Sequence, residues 1–469
     1  MVALLAVVLC LATGFVIVCL GWSRQSPLSH LLLKASLSAG CGLGIFSLVY
    51  FLFPVLSLSG LIPVDLVVLG ALLVCLIRVR KSRTPELNPV DARAASETSN
   101  RSIARVLAGG FALSLVFAVY SSAMRVLANP HGAGWDAFAI WNLRARFLFR
   151  GGPHWKDGFS ASLPWSHPDY PLLLPASIAH FWRYLGTENQ AVPCVIALVF
   201  MLSTVGLLVS SLSALRGSNQ GLLGGIVLLG TPFFVEQGTA QYADVPLGFF
   251  VMATIVLLCL HEEGRHGPRL LGLAGLMAGL AAWTKNEGLL FLSAIVLERM
   301  LVLLRHEGRK SCWRQMAPML LAALPVLLVL GYFKLRVAPA GDLFSGANST
   351  LHKVLAPDRY WAIVKWYGKE FMRFGHWMLI PGTVVLAAYY FLVGKHPIPD
   401  TIPDRLGIRS SVLAIALTLA GYFAVYVITP YDIYWHLRFS LNRLFLQLWP
   451  SAIFLFFMVV RTPEQALAE

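Results

Sequence analysis

Apolar residues run along this chain in blocks close to the length that crosses a lipid hydrocarbon core, about 20 residues. The blocks fall at 1–20, 31–57, 59–77, 103–124, 190–212, 221–236, 245–261, 270–283, 287–304, 316–335, 376–394, 410–429 and 445–460. Read as helices, they predict an all-α polytopic membrane protein with about 13 spans. The first block lacks a charged n-region and an A-x-A site, so it reads as a retained helix and not a cleaved signal.

Short basic breaks orient these helices. "RVRKSR" (78–83), "RHEGRKSCWR" (305–314) and "GKHPIPDTIPDRLGIR" (394–409) all fall on one side of the block pattern, which the positive-inside rule makes cytoplasmic. The other, external side then holds 126–189, 237–244, 284–286, 336–375 and 430–444. Domain organisation follows: N-terminal helices over 1–80, a hydrophilic cytoplasmic linker over 81–102, a transmembrane core over 103–460, and a tail over 461–469. The long external loops are 126–189 and 336–375.

Those two loops carry helical patterns of their own. In "GWDAFAIWNLRARFLFRGG" (134–152), Phe138, Trp141, Ala145 and Leu148 share a face, with Asn142, Arg146 and Arg150 on a neighbouring stripe. In "RYWAIVKWYGKEFMRF" (359–374), Trp361, Val364 and Phe371 share a face beside Lys365, Lys369 and Arg373. Both predict helices lying in the membrane interface, aromatics toward acyl chains and cations toward head groups. "YPLLLPASIAHFWRYLG" (170–186) is interrupted by Pro and predicts a re-entrant or interfacial segment.

Composition agrees with the pattern. Only 13% of residues are charged and 57% are hydrophobic, with a mean hydropathy of +0.70, whereas soluble domains carry about a quarter charged residues. The net charge of +14 suits a cytoplasmic face and anionic lipid, and no nucleic-acid-reading motif accompanies it. Seven Cys without paired spacing suggest small apolar residues, neither a disulfide framework nor a zinc site.

Polar residues at the external helix ends are the candidate chemistry. Asp136 could act as a general base at the water–lipid boundary, or cap a helix. Asp244, in "GTAQYADVPLGFF", enters a span just before Pro246 and could be a simple helix cap, with Tyr242 and Gln241 adding polarity at the same interface. Lys285, in "AAWTKNEGLLF", sits on the side that disfavours cations and therefore wants an anionic partner, either Glu287 or a phosphate. Arg438 and Arg443, in "YDIYWHLRFSLNRLFLQLWP", suit phosphate oxygens or interfacial anchoring. His167 and Asp169, in "SHPDYPLLLP", could bind a divalent cation with Asp136 or Asp244, although no ligand spacing supports a metal.

In this order the motifs resemble the GT-C superfamily of polytopic glycosyltransferases, which use polyprenyl-phosphate-linked sugars. The nearest pattern is the protein O-mannosyltransferase and aminoarabinose transferase group, family 39-like. The resemblance runs over "D" in the first external loop, "HPDYPLLL", "ADVPL", "TKNEG" and "RFSLNRLFLQLWP", about residues 103–460. It implies a GT-C-like bundle with interfacial helices in the first external loop and Asp136 as catalytic base. Asp244, with Tyr242 and His167, would position the acceptor or a cation. Lys285, Arg438, Arg443, Arg146 and Arg150 would hold the lipid phosphate.

The implied partners are a polyprenyl-phosphate sugar donor, a lipid, glycan or protein acceptor, and the bilayer, with no nucleic acid. A divalent cation is admitted as a cofactor, its candidate ligands being Asp136 and Asp244. The implied location is a bacterial inner membrane with the site on the periplasmic side. The sequence departs from relatives at Ala137, where many carry a second acid after the Asp, and at "HPDYP", where "KPP" is common. One carboxylate suffices for an inverting displacement, because phosphate leaves without a protein acid. A transporter or flippase for an anionic lipid or solute, and a non-catalytic envelope-assembly subunit, stay open as alternatives.

Overall fold

In the computed structural model, helix occupies each of the apolar blocks. Residues 2–22, 30–58, 60–81, 101–263, 267–341, 347–377, 380–396 and 402–467 are described; most of the linker at 81–102 lies outside them. Helices α1 (Val2–Gly21), α2 (Leu31–Val55), α3 (Leu61–Lys81) and α4 (Arg101–Ala128) come first. A π-turn (Ala137–Asn142) leads into α5 (Leu143–Arg150), followed by α6 (Leu173–Leu185), α7 (Ala191–Arg216), α8 (Ser218–Leu229) and α9 (Pro232–Thr239). Then come α10 (Asp244–Glu262), α11 (Arg269–Thr284), α12 (Asn286–His306) and α13 (Gly308–Arg336). The last are α14 (Ala347–Val354), α15 (Pro357–Arg373), α16 (Gly382–Val393), α17 (Ile402–Ile428), α18 (Ile433–Val459) and α19 (Pro463–Leu467). Among the described residues there is no strand, only an isolated bridge between Lys395 and Val460.

Nine of the described helices are long and apolar enough to cross a membrane: α1 to α4, α7, α10, α13, α17 over Gly407–Ile428, and α18. The chain is thus an integral, polytopic membrane protein. The block at 221–236 is not one straight span. It is the pair α8 and α9, bent by 70°, because Pro232 has no N–H to continue α8 yet fits the first turn of α9. Blocks 270–283 and 376–394 form the short helices α11 and α16. Block 287–304 forms α12, which carries Glu287, Glu298, Arg299 and Arg305.

α10 lies at the centre, against α7, α11, α17 and α18. It is apolar all round, as a helix without a water face must be, and 94% of its most apolar window is buried. α3 and α4 are the opposite case, with 6% buried, so their apolar side chains face outward as lipid-facing helices do. In lipid, helices associate by close packing and not by a hydrophobic gain. α11 and α13 accordingly meet at Gly275, where any Cβ would lie 1.9 Å from the Met319 carbonyl oxygen.

Two expectations for the external side are corrected. The segment 430–444 is not a loop: α18 starts at Ile433, capped by Asp432, which accepts from the Trp435 N–H. Its His, Arg and Asn residues break the apolar run without breaking the helix. In the first loop, Trp141, Ala145 and Leu148 are buried in the protein and not turned to acyl chains; of that face only Phe138 is exposed. Packing against α6 covers them. α6 is itself enclosed, with ten of its 13 residues buried.

The N-terminal helices are tied to this centre. Asp65 on α3 accepts from the Tyr184 hydroxyl and meets His180 Nε2 at 2.9 Å, while His180 Nδ1 lies 3.1 Å from the Phe46 carbonyl on α2. α15 is buried along one side only: Ala362 and Ile363 face the protein, while Trp361, Val364 and Phe371 are exposed. Lys365, Lys369 and Arg373 are exposed too.

Candidate active site

Four sequence-distant segments meet at Asp244. It is the first residue of α10, completely buried, and its side chain caps no helix. Instead Oδ1 accepts from Lys285 Nζ at 3.0 Å and from Gln447 Nε2 at 2.6 Å. Oδ2 accepts from Arg443 Nε at 2.8 Å, and Arg443 Nη2 lies 2.7 Å from the same oxygen. The remaining guanidinium nitrogen, Nη1, donates to Asp136 Oδ2 at 2.6 Å. Arg443 therefore bridges the two carboxylates that the sequence singles out.

The chain geometry explains this convergence. Asp136 has helical dihedrals and makes no cap hydrogen bond, so its carboxylate is free to turn toward α18. It is delivered by a tight loop in which Gly134 has φ +88°, where a Cβ would lie 2.7 Å from the Tyr242 hydroxyl; only glycine suits both demands. The Tyr242 ring lies under the Arg443 guanidinium at 4.7 Å, a desolvated cation–π contact. Arg443 reaches Asp244 because α18 begins ten residues earlier and rises past the start of α10. Lys285 stands in extended backbone at the break between α11 and α12, and its ammonium also meets Glu287 at 2.8 Å.

A second tier backs the cluster. Lys285 Nζ stands 5.6 Å from the Tyr170 ring centroid; Tyr170 stacks on Trp141 and on His167. Arg144, wholly buried, donates to the carbonyls of Ile140, His167 and Tyr170 and so fixes the "HPDYP" turn, where His167 takes φ +48°. Asn286 donates to Asp169 Oδ2 at 2.7 Å and accepts from Lys334 at 2.7 Å.

The protonation states follow from burial and charge. Burial opposes the charge of Lys285, but Asp244 and Glu287 outweigh it and hold the ammonium above its ordinary value. Burial, with Asp136 nearby, pushes the Tyr242 hydroxyl up to about 12. Burial lowers His167 despite Asp169 and Asp136, favouring neutral imidazole. It also lowers Arg144 to about 10.

Not every candidate joins the cluster. Arg438 is exposed, its guanidinium 5.7 Å from the Phe439 ring. Arg146 and Arg150 both pair with Glu188. Asp136 and Asp244 do not fit a divalent cation, because a guanidinium bridges them. Among the described residues no group of three or more His, Cys, Asp or Glu side chains converges as a metal ligand set. Gln447, Arg144, Tyr170, Asn286 and Lys334 were not legible as site residues. Gln447 carried one signal, a lone amide in an apolar run.

Residues 167–332 match the family model of the dolichyl-phosphate-mannose-protein mannosyltransferases. The matched stretch holds "HPDYP", Asp244 and Lys285, and it agrees with the GT-C resemblance carried by the motifs. It indicates a GT-C glycosyltransferase of the membrane. No curated protein and no solved structure matches the chain.

Proposed function

We propose that this glycosyltransferase moves a sugar from a polyprenyl-phosphate donor to an acceptor hydroxyl at the external membrane face, with Asp136 as base. The observation that carries the reading is the convergence of Asp136, Asp244, Lys285 and Arg443. They come from four separate segments: Asp136, Asp244 and Lys285 stand in a loop or at helix ends, and Arg443 reaches them from about three turns inside α18.

The chemistry assigns each group a task. Asp136 is the most open member of the cluster, with its side chain 22% exposed against none of Asp244. It engages Arg443 through Oδ2, so Oδ1 is the oxygen that takes the acceptor proton. The acceptor oxygen then attacks the anomeric carbon as the bond from that carbon to the phosphate oxygen breaks, inverting the centre. The departing polyprenyl phosphate gathers negative charge, which Lys285 and Arg443 stabilise from fixed positions. Asp244 and Gln447 fix those positions: buried and closed by three donor side chains, Asp244 aims both cations.

Purified protein in nanodiscs, given polyprenyl-phosphate sugars and candidate acceptors, tests the reading. Asp136→Asn should lower transfer by about 10²–10⁴-fold, the usual contribution of a general base, with unchanged donor binding. Full activity of that variant removes Asp136 as base. Absence of transfer by the wild type from every such donor removes the donor assignment.

A further inference from the structure

Asp136 is followed by Ala137, so the first loop brings a single carboxylate to the cluster. The structure brings another carboxylate to the same cluster from a different segment. Glu287, the second residue of α12, meets Lys285 Nζ through Oε1 at 2.8 Å. Its other oxygen, Oε2, is buried and has no hydrogen-bond partner among the described residues. The ammonium that Glu287 meets stands 5.6 Å from the Tyr170 ring centroid, at the "HPDYP" turn, and 3.0 Å from Asp244 Oδ1, so the carboxylate adjoins the cluster.

A buried carboxylate oxygen without a donor is costly. A saccharide supplies donors, since each ring hydroxyl can give one hydrogen bond to a carboxylate. We propose that Glu287 is the saccharide-binding carboxylate of this site: Oε2 accepts from a ring hydroxyl of the donor sugar while Oε1 stays on Lys285. One side chain then couples the sugar to the ammonium that faces the phosphate, which fixes the anomeric centre between leaving group and base. This inference rests on the polyprenyl-phosphate donor reading. It gives Glu287 a binding role and leaves base catalysis to Asp136.

The experiment compares binding of undecaprenyl phosphate with that of undecaprenyl-phosphate mannose, glucose and galactose to the full-length protein in nanodiscs. The wild type is expected to bind at least one of the sugar-bearing lipids about tenfold more tightly than the bare lipid, a margin one charge-assisted hydrogen bond supplies. Glu287→Gln and Glu287→Ala should erase that margin without weakening the bare lipid, whereas Lys285→Ala should weaken both. The Gln variant keeps the shape and a contact to Lys285, so it guards against misfolding. Equal weakening of bare and sugar-bearing lipids by Glu287→Gln overturns the proposal, because Glu287 then only supports Lys285. An unchanged margin overturns it as well, with an ordered water only on Oε2. Wild-type binding of the bare lipid with no preference for any sugar does the same. Binding of none of the four lipids sinks the donor reading itself.

Discussion

Arg443→Met isolates the energetic role of the bridge. The substitution removes two contacts to Asp244, at 2.8 and 2.7 Å, and one to Asp136, at 2.6 Å. Each is charge-assisted, and breaking a buried pair by deleting one partner costs about 3–5 kcal/mol. Asp244 keeps Lys285 and Gln447 on Oδ1, and Asp136 is partly open to solvent, so the lower end, about 3 kcal/mol, is expected. Adding Asp244→Asn removes the stranded charge. The double variant should therefore lose less than the sum of the two single ones, by about 0.5–3 kcal/mol. Tryptophan fluorescence during unfolding by SDS titration in mixed micelles reads these differences. An Arg443→Met protein within about 0.5 kcal/mol of wild type, the range of ordinary surface changes, would falsify the buried cluster, and so would a strictly additive pair.

Two further outcomes follow from the second tier. Arg144→Met should destabilise by about 3 kcal/mol, since three backbone carbonyls lose a charged donor, and Arg144→Lys should recover only part; an unchanged unfolding midpoint for Arg144→Met contradicts the clamp. His167 is held neutral by burial, while in the unfolded chain it titrates near about 6.5. As pH falls below that value, the unfolded state takes up a proton that the folded state refuses, so stability falls with acidification until the folded group titrates as well. His167→Gln should flatten the decline between pH 7 and 5, and superimposable wild-type and variant curves rule this origin out.

Helix positions were open to the sequence because membrane spans declare themselves by length and polarity alone. Every apolar block contains a helix, and nine of the 13 lie in helices long and apolar enough to span. Interruptions by polar residues carried less information. Arg443 and His436 ended an apolar run at 445 yet lie inside α18, since a helix persists through polar residues that find partners. The turn at Pro232 was present in the sequence as a residue, but its 70° bend is a property of the packed pair.

The sequence by itself determined the class of the chain, the helical blocks, and which charged residues stand where charge is expensive. That follows from desolvation: a carboxylate or ammonium at a membrane boundary needs a reason, and few residues qualify. Tertiary structure decided the partnerships. Asp136 and Asp244 gave up the capping reading only because α18 carries Arg443 between them, 307 and 199 residues away in the chain. Arg146 and Arg150 were diverted to Glu188, and Trp141 was buried by α6. Periodicity could not show this, because a face can be matched by lipid or by another helix with the same apolar pattern. Only the fold distinguishes the two.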